Sequence, residues 1–184
     1  MQIKTENCET FLHQRTLIVG ETGSGKTTRT VQLLEIFIRA GYASEITILD
    51  LAPDEIRGVG GKMRIKPSAK ILYLSTQIAA PRLQGKNDRH IWQLAQANAH
   101  AIERLFQQQI KAKRKILFIN DATLYLQAGE FENFEKVLNS ADTAIINAYE
   151  GDHFVDSALT RREKRLTRDL KKRCNLIIPS QVSL

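Results

Sequence analysis

Apolar positions along this chain follow two alternating rhythms. Six short runs, Arg15–Val19, Glu45–Leu49, Lys70–Ser75, Lys115–Ile119, Thr143–Ala148 and Asn175–Ile178, are rich in aliphatic and β-branched residues and read as strands. Longer segments with helical spacing separate most of them. From Thr28 to Ala40, residues Val31, Leu34 and Ile38 with Leu33 and Phe37 recur at helix intervals, and Gly41 stands where such a helix closes. Arg89–Lys113, Glu130–Asn139 and Asp156–Arg173 show the same spacing. This alternation predicts a three-layer α/β/α fold with a mainly parallel sheet of about six strands. Stretches such as Ile116-Leu117-Phe118-Ile119 are apolar throughout, as strands covered on both faces must be. No repeat, low-complexity segment or linker interrupts the pattern, so residues 1–184 read as one domain.

Composition narrows the setting. With 42% hydrophobic and 26% charged residues the chain has the make-up of a soluble globular protein, and no apolar run is long enough to span a bilayer, so no membrane partner is expected. Met1 to Arg15 carries Glu6 and Glu9 and lacks the apolar core of a signal peptide. Cys8 and Cys174 have no neighbours at metal-ligand spacing, which argues against a disulfide or zinc framework. A cytoplasmic location is the resulting expectation. The net charge of +7 is unevenly placed, in Lys111–Lys115 and in Arg161–Arg173. Such clusters attract nucleic acid or other anions, but on a helix they more commonly form a solvated face, and that is the reading taken for the second. Trp92 is expected in the core or under a loop. His90 and His100, ten residues apart, do not share a metal-binding face.

The chemistry-bearing motif lies between the first strand and the first helix. Gly20-Glu21-Thr22-Gly23-Ser24-Gly25-Lys26-Thr27 fits the phosphate-loop pattern G-x-x-x-x-G-K-[ST] at every fixed position. The glycines let the backbone fold its N–H groups into one hollow, Lys26 can reach β- and γ-phosphates, and the Thr27 hydroxyl can ligate Mg²⁺. Gly20 through Thr28 are therefore the candidate nucleotide-binding residues, with ATP and Mg²⁺ as the expected ligands. GTP is disfavoured because no Asn-Lys-x-Asp signature follows a strand; Gly85-Lys86-Asn87-Asp88 misses the pattern.

A phosphate-loop enzyme also needs an acidic residue at the end of another strand to hold Mg²⁺. Asp121, after Ile116-Leu117-Phe118-Ile119-Asn120, and Asp50, after Ile46-Thr47-Ile48-Leu49, both qualify. Six strands with a late apolar run ending in Asn-Asp favour an arrangement in which a further strand lies between the loop strand and the acid-bearing strand, so Asp121 is preferred, and Asp50 stays open. Asn120 complicates the match. Either it occupies the magnesium-side position and Asp121 the catalytic one, or Asp121 is the magnesium-side acid and Ala122 leaves the catalytic position without a carboxylate. Lys26 and Asp121 are the candidate catalytic residues. Two loops after strands, Asp50–Lys62 and Gln77–Asp88, contain Gly, Pro and basic residues and are expected to face a ligand.

On these residues the chain resembles the P-loop NTPase superfamily, in its RecA-like branch. Its overall layout is most similar to that of the ATP:corrinoid adenosyltransferases, through the early loop, the Trp92-Gln93-Leu94-Ala95-Gln96 segment, Phe118-Ile119-Asn120-Asp121 and Thr143-Ala144-Ile145-Ile146-Asn147. It departs from that family at Ser24, where a second lysine is usual, and at Asn120-Asp121, where Asp-Glu is usual. The loop itself also resembles that of motor ATPases. Three activities are expected: cleavage of, or transfer from, a nucleoside triphosphate by an ATPase or ATP-dependent transferase, from the loop; a nucleotide-gated module acting on nucleic acid or a protein partner, from the missing Asp-Glu pair and the basic segment Arg161–Arg173; and adenosyl transfer to a corrinoid, which the resemblance implies. A homo-oligomer is compatible with each.

Overall fold

The computed structural model describes residues 7–56 and 61–180. Six strands are formed: β1 (Arg15–Gly20), β2 (Ile46–Asp50), β3 (Leu72–Ser75), β4 (Ile116–Asn120), β5 (Thr143–Tyr149) and β6 (Leu176–Pro179). Among the described residues six α-helices accompany them: α1 (Lys26–Arg39), α2 (Pro81–Gln84), α3 (Asp88–Ala112), α4 (Thr123–Leu126), α5 (Phe131–Asn139) and α6 (Ala158–Lys172), with short 3-10 helices at Cys8–Thr10 and Tyr42–Glu45. The α/β fold expected from the apolar pattern is present, and every strand pairing is parallel. Strand order is β3-β2-β4-β5-β1-β6, which puts β5 between the loop strand β1 and the strand β4 that precedes Asp121.

Period-2 alternation sends successive strand residues to opposite faces. Ile18, Ile48, Phe118 and Ile145 pack on one face against Leu33, Leu34 and Phe37 of α1, with Phe11 beside them. Leu17, Leu49, Leu117 and Ile146 pack on the other against α3, α4, α5 and α6, through Ile102, Tyr125, Phe134 and Leu166 among others. The central strands β2, β4 and β5 are buried at every position, which is why their sequences read as unbroken apolar runs.

Two features depart from expectation. Within the loop Gln77–Asp88 the chain makes the short helix α2, started by Pro81 at its first position, where the missing N–H costs no bond. Trp92 is 37% exposed rather than buried, because α3 buries its apolar face only from Ala95 onwards. Of the other loop, residues 57–60 lie outside the described residues, as do Glu6 and the rest of residues 1–6. No helix among the described residues is long and apolar enough to cross a membrane.

Candidate functional site

The carboxyl ends of the strands gather at one edge of the sheet, and β1 turns there into the loop Gly20–Thr27. Gly20 is required sterically: a Cβ on it would lie 2.6 Å from the Ser180 carbonyl oxygen and 2.6 Å from Ser24 Oγ. Gly23 and Gly25 adopt φ of 74° and 84°, the left-handed region open to glycine. Ser180, just past β6, fastens the loop from outside by donating from its Oγ to the Ser24 carbonyl at 2.6 Å and from its N–H to the Val19 carbonyl at 2.7 Å. Glu21 points away from the hollow and accepts the Asp152 N–H at 2.7 Å. Helix α1 then begins at Lys26 with Gly25 as its N-cap and no capping side chain. Its first N–H groups have no partner within the helix, and the helix dipole adds a partial positive charge at that end. Lys26 Nζ donates to the Glu21 carbonyl at 2.6 Å, spanning the loop. Burial lowers the Lys26 pKa from its ordinary value, and the carboxylates of Asp121 and Glu21 oppose that shift.

A row of polar side chains lies behind the loop. Thr27 Oγ1 donates to Asn120 Oδ1 at 3.1 Å. Asn147, on the intervening β5, donates to Asn120 Oδ1 and to Thr30 Oγ1, each at 2.8 Å, and accepts the Asp121 N–H at 2.8 Å. Asn120 in turn donates to Asp50 Oδ1 at 2.8 Å. Asp121 takes a left-handed φ of 59°, so the chain turns sharply at the end of β4 and carries this residue to the cleft while Asn120 stays in the sheet. Thr123 Oγ1 donates to Asp121 Oδ1 at 2.5 Å. Burial raises the Asp121 pKa, with the Thr123 hydrogen bond and the Lys26 charge acting against the rise.

The loop, Asp121 and the segments after β2 and β3 enclose a cleft of about 310 Å³. Thr22 to Thr28 form one wall; Ala52, Pro53 and Gly61 from the segment after β2 and Ala80 to Leu83 from the segment after β3 form another. Arg82 is held at this cleft by three groups. Its Nη2 lies 2.9 Å from Glu163 Oε2 and 3.4 Å from Thr160 Oγ1, and its guanidinium sits 4.5 Å from the centre of the Phe154 ring. Glu163 is buried on α6 and also accepts from Gln127 Nε2 at 2.8 Å. Burial pushes the Glu163 pKa up, and the Arg82 charge pulls it back.

The structure thus brings Thr22 to Thr28 and Asp121 to one cleft, with Gly20 and Glu21 shaping the loop from behind. It does not bring Asp50 there. That carboxylate is fully buried and accepts from Asn120 Nδ2, the Met63 N–H at 2.6 Å and the Tyr73 hydroxyl. For a hard divalent cation, the Thr27 hydroxyl and the Asp121 carboxylate are oxygen donors lining the same cleft, which fits an ion that keeps several waters and takes its other ligands from phosphate. Among the described residues no group of three or more His, Cys, Asp and Glu could hold a metal alone.

Arg82, Asn147, Gln127 and Glu163 enter the site without a motif to announce them. Asn147 had a legible signal, a polar residue inside an apolar run. Glu163 had none, since it sits among the charges of Arg161–Arg173. That segment is otherwise the solvated face expected, and many of its cations meet acids: Arg161 with Asp156, Lys164 with Asp152, Lys171 with Glu150, Lys172 with Asp169 and Arg173 with Glu135. No known protein family matches this chain, and no curated protein matches its sequence.

Proposed function

We propose that this chain is a P-loop NTPase that binds ATP with Mg²⁺ in the cleft and cleaves, or transfers a group from, the triphosphate. The observation that carries the reading is the convergence of left-handed Gly23 and Gly25, the uncapped start of α1, Lys26, Thr27 and Asp121 on one cleft. Loop amides and the α1 terminus would hold phosphate oxygens. Lys26 would exchange the Glu21 carbonyl for them, a stronger charge-assisted contact. Thr27 and Asp121 would hold Mg²⁺, which when bound neutralises charge on the phosphates. Asp121 also stands where it can orient a nucleophile and take its proton, and burial makes its carboxylate more basic than an exposed one. The position of β5 between β1 and β4 supports the RecA-like branch.

A second reading, a nucleotide-gated module with slow turnover, is favoured by Asn120. The group against the Thr27 hydroxyl is an amide rather than a carboxylate, and Arg82 joins the cleft to α6, so a change in the cleft has a route to that helix. The ion pairing along α6 makes a protein partner a better fit than nucleic acid. Adenosyl transfer to a corrinoid remains distinguishable by product: it releases triphosphate, whereas hydrolysis releases ADP and phosphate.

The decisive variant is Lys26→Ala. Loss of its charge-assisted contacts is expected to weaken MgATP binding by about tenfold to a hundredfold and to abolish turnover, measured by calorimetry and product analysis. Unchanged ATP affinity in a folded variant overturns the assignment.

A further inference from the structure

The Asn120 carboxamide has its hydrogen-bonding capacity filled in one orientation. Its oxygen accepts from Thr27 Oγ1 at 3.1 Å and Asn147 Nδ2 at 2.8 Å; its nitrogen donates to Asp50 Oδ1 at 2.8 Å and the Gly61 carbonyl at 3.3 Å. Two donors and two acceptor positions are what a carboxamide has. Turning the group over would set its nitrogen against the Asn147 donor and its oxygen against the Asp50 carboxylate. Asp50 is itself held by donors on every side, including the Met63 N–H at 2.6 Å, the Ala52 N–H at 3.4 Å and the Tyr73 hydroxyl.

We propose that Asp50 is a positioning residue: from the neighbouring strand it locks Asn120 with its oxygen on the Thr27 hydroxyl, so that the negative charge backing the metal side of the cleft sits one strand away from it. With the Thr27 proton given to Asn120, the lone pairs of Thr27 Oγ1 remain available toward the cleft. The inference rests on the triphosphate reading of that cleft, and it explains how an amide can stand where a carboxylate is usual.

The lock makes an unusual prediction about a charge exchange. In Asp50→Asn the Met63 N–H cannot reverse, so the new carboxamide keeps its oxygen there and turns its nitrogen toward Asn120, donor against donor. Asn120→Asp alone sets two carboxylates against each other. The double variant Asp50→Asn/Asn120→Asp restores three contacts of the row, because Asp at 120 accepts from Thr27, Asn147 and the nitrogen at 50, and only the weaker contact to the Gly61 carbonyl loses its donor.

The test titrates Mg²⁺ into each variant with a fluorescent ATP analogue and records the melting temperature of each without nucleotide. Asp50→Asn is expected to raise the Mg²⁺ concentration for half-maximal analogue binding by about tenfold, with metal-free analogue binding little changed. The double variant is expected to return to the wild-type value or below and to melt above both single variants. A double variant no better than the singles in Mg²⁺ dependence and melting overturns the lock. If the wild type binds no triphosphate, the functional reading fails by itself, and recovery or non-recovery of melting temperature in the double variant still decides whether Asp50 orients Asn120.

Discussion

Lys26 and Asp121 face one cleft with pKa values moved toward each other, and that sets the pH behaviour of the site. Burial lowers the lysine and raises the aspartate. Asp121 therefore stays protonated to a higher pH than an exposed aspartate, and a turnover that uses it as base rises with pH as it ionises. On the alkaline side Lys26 loses its proton below the ordinary lysine range, so the proposed ATP binding is expected to fall earlier than it would with an exposed lysine. The expected turnover profile is a bell narrowed from both sides, and Asp121→Asn is expected to remove the acid limb and reduce the rate by about 10²–10⁴-fold. An unchanged acid limb in steady-state kinetics contradicts that role. At this scale Lys26 and Thr27 were legible because a fixed spacing names them. Asn147 was legible only as an oddity, since its contacts with Thr30, Asn120 and Asp121 cross three segments far apart in the chain.

Among the elements, α6 shows most clearly what charge pattern alone leaves out. Its sequence is dominated by Arg and Lys, yet it buries Leu159, Leu166 and Leu170 and, beside them, Glu163. The Arg82–Glu163 and Arg161–Asp156 pairs look equivalent on paper and differ in environment. The side chains of the first are 15% and 1% exposed, those of the second 64% and 72%. Breaking a buried pair strands a charge in low dielectric, so Glu163→Ala is expected to cost about 3 kcal/mol of unfolding free energy. Asp156→Ala is expected to cost about 0.5 kcal/mol or less, because water and salt already screen that pair. Urea denaturation of both variants measures the contrast, and equal losses would contradict it. The helix was legible from its spacing; the inward direction of Glu163 was not, because it depends on α2 arriving with Arg82.

Over the whole molecule, the two faces of the sheet divide the work. The face covered by α1 holds the loop's helix in place through Leu33, Leu34 and Phe37, with Phe37 set edge-on to Phe118 at 5.6 Å. Removing the Phe118 ring leaves a cavity at the centre of that face, so Phe118→Ala is expected to lose about 3–5 kcal/mol by urea denaturation. A loss under about 1 kcal/mol would mean that this face is not close-packed.

Local sequence was sufficient for the strands, the main helices and the glycine loop between β1 and α1, because each depends on spacing within a few residues: apolar runs, helical periodicity, glycines before Lys26. Strand order is a different kind of fact. It took the folded sheet to put β5 between β1 and β4, and with it to set Asn120 rather than a carboxylate against Thr27, to turn Asp50 inward and to bring Arg82 to Glu163. Asn120 lies 93 positions from Thr27 and 70 from Asp50, and nothing in the local chemistry of either partner specifies the other until packing brings them within hydrogen-bonding distance.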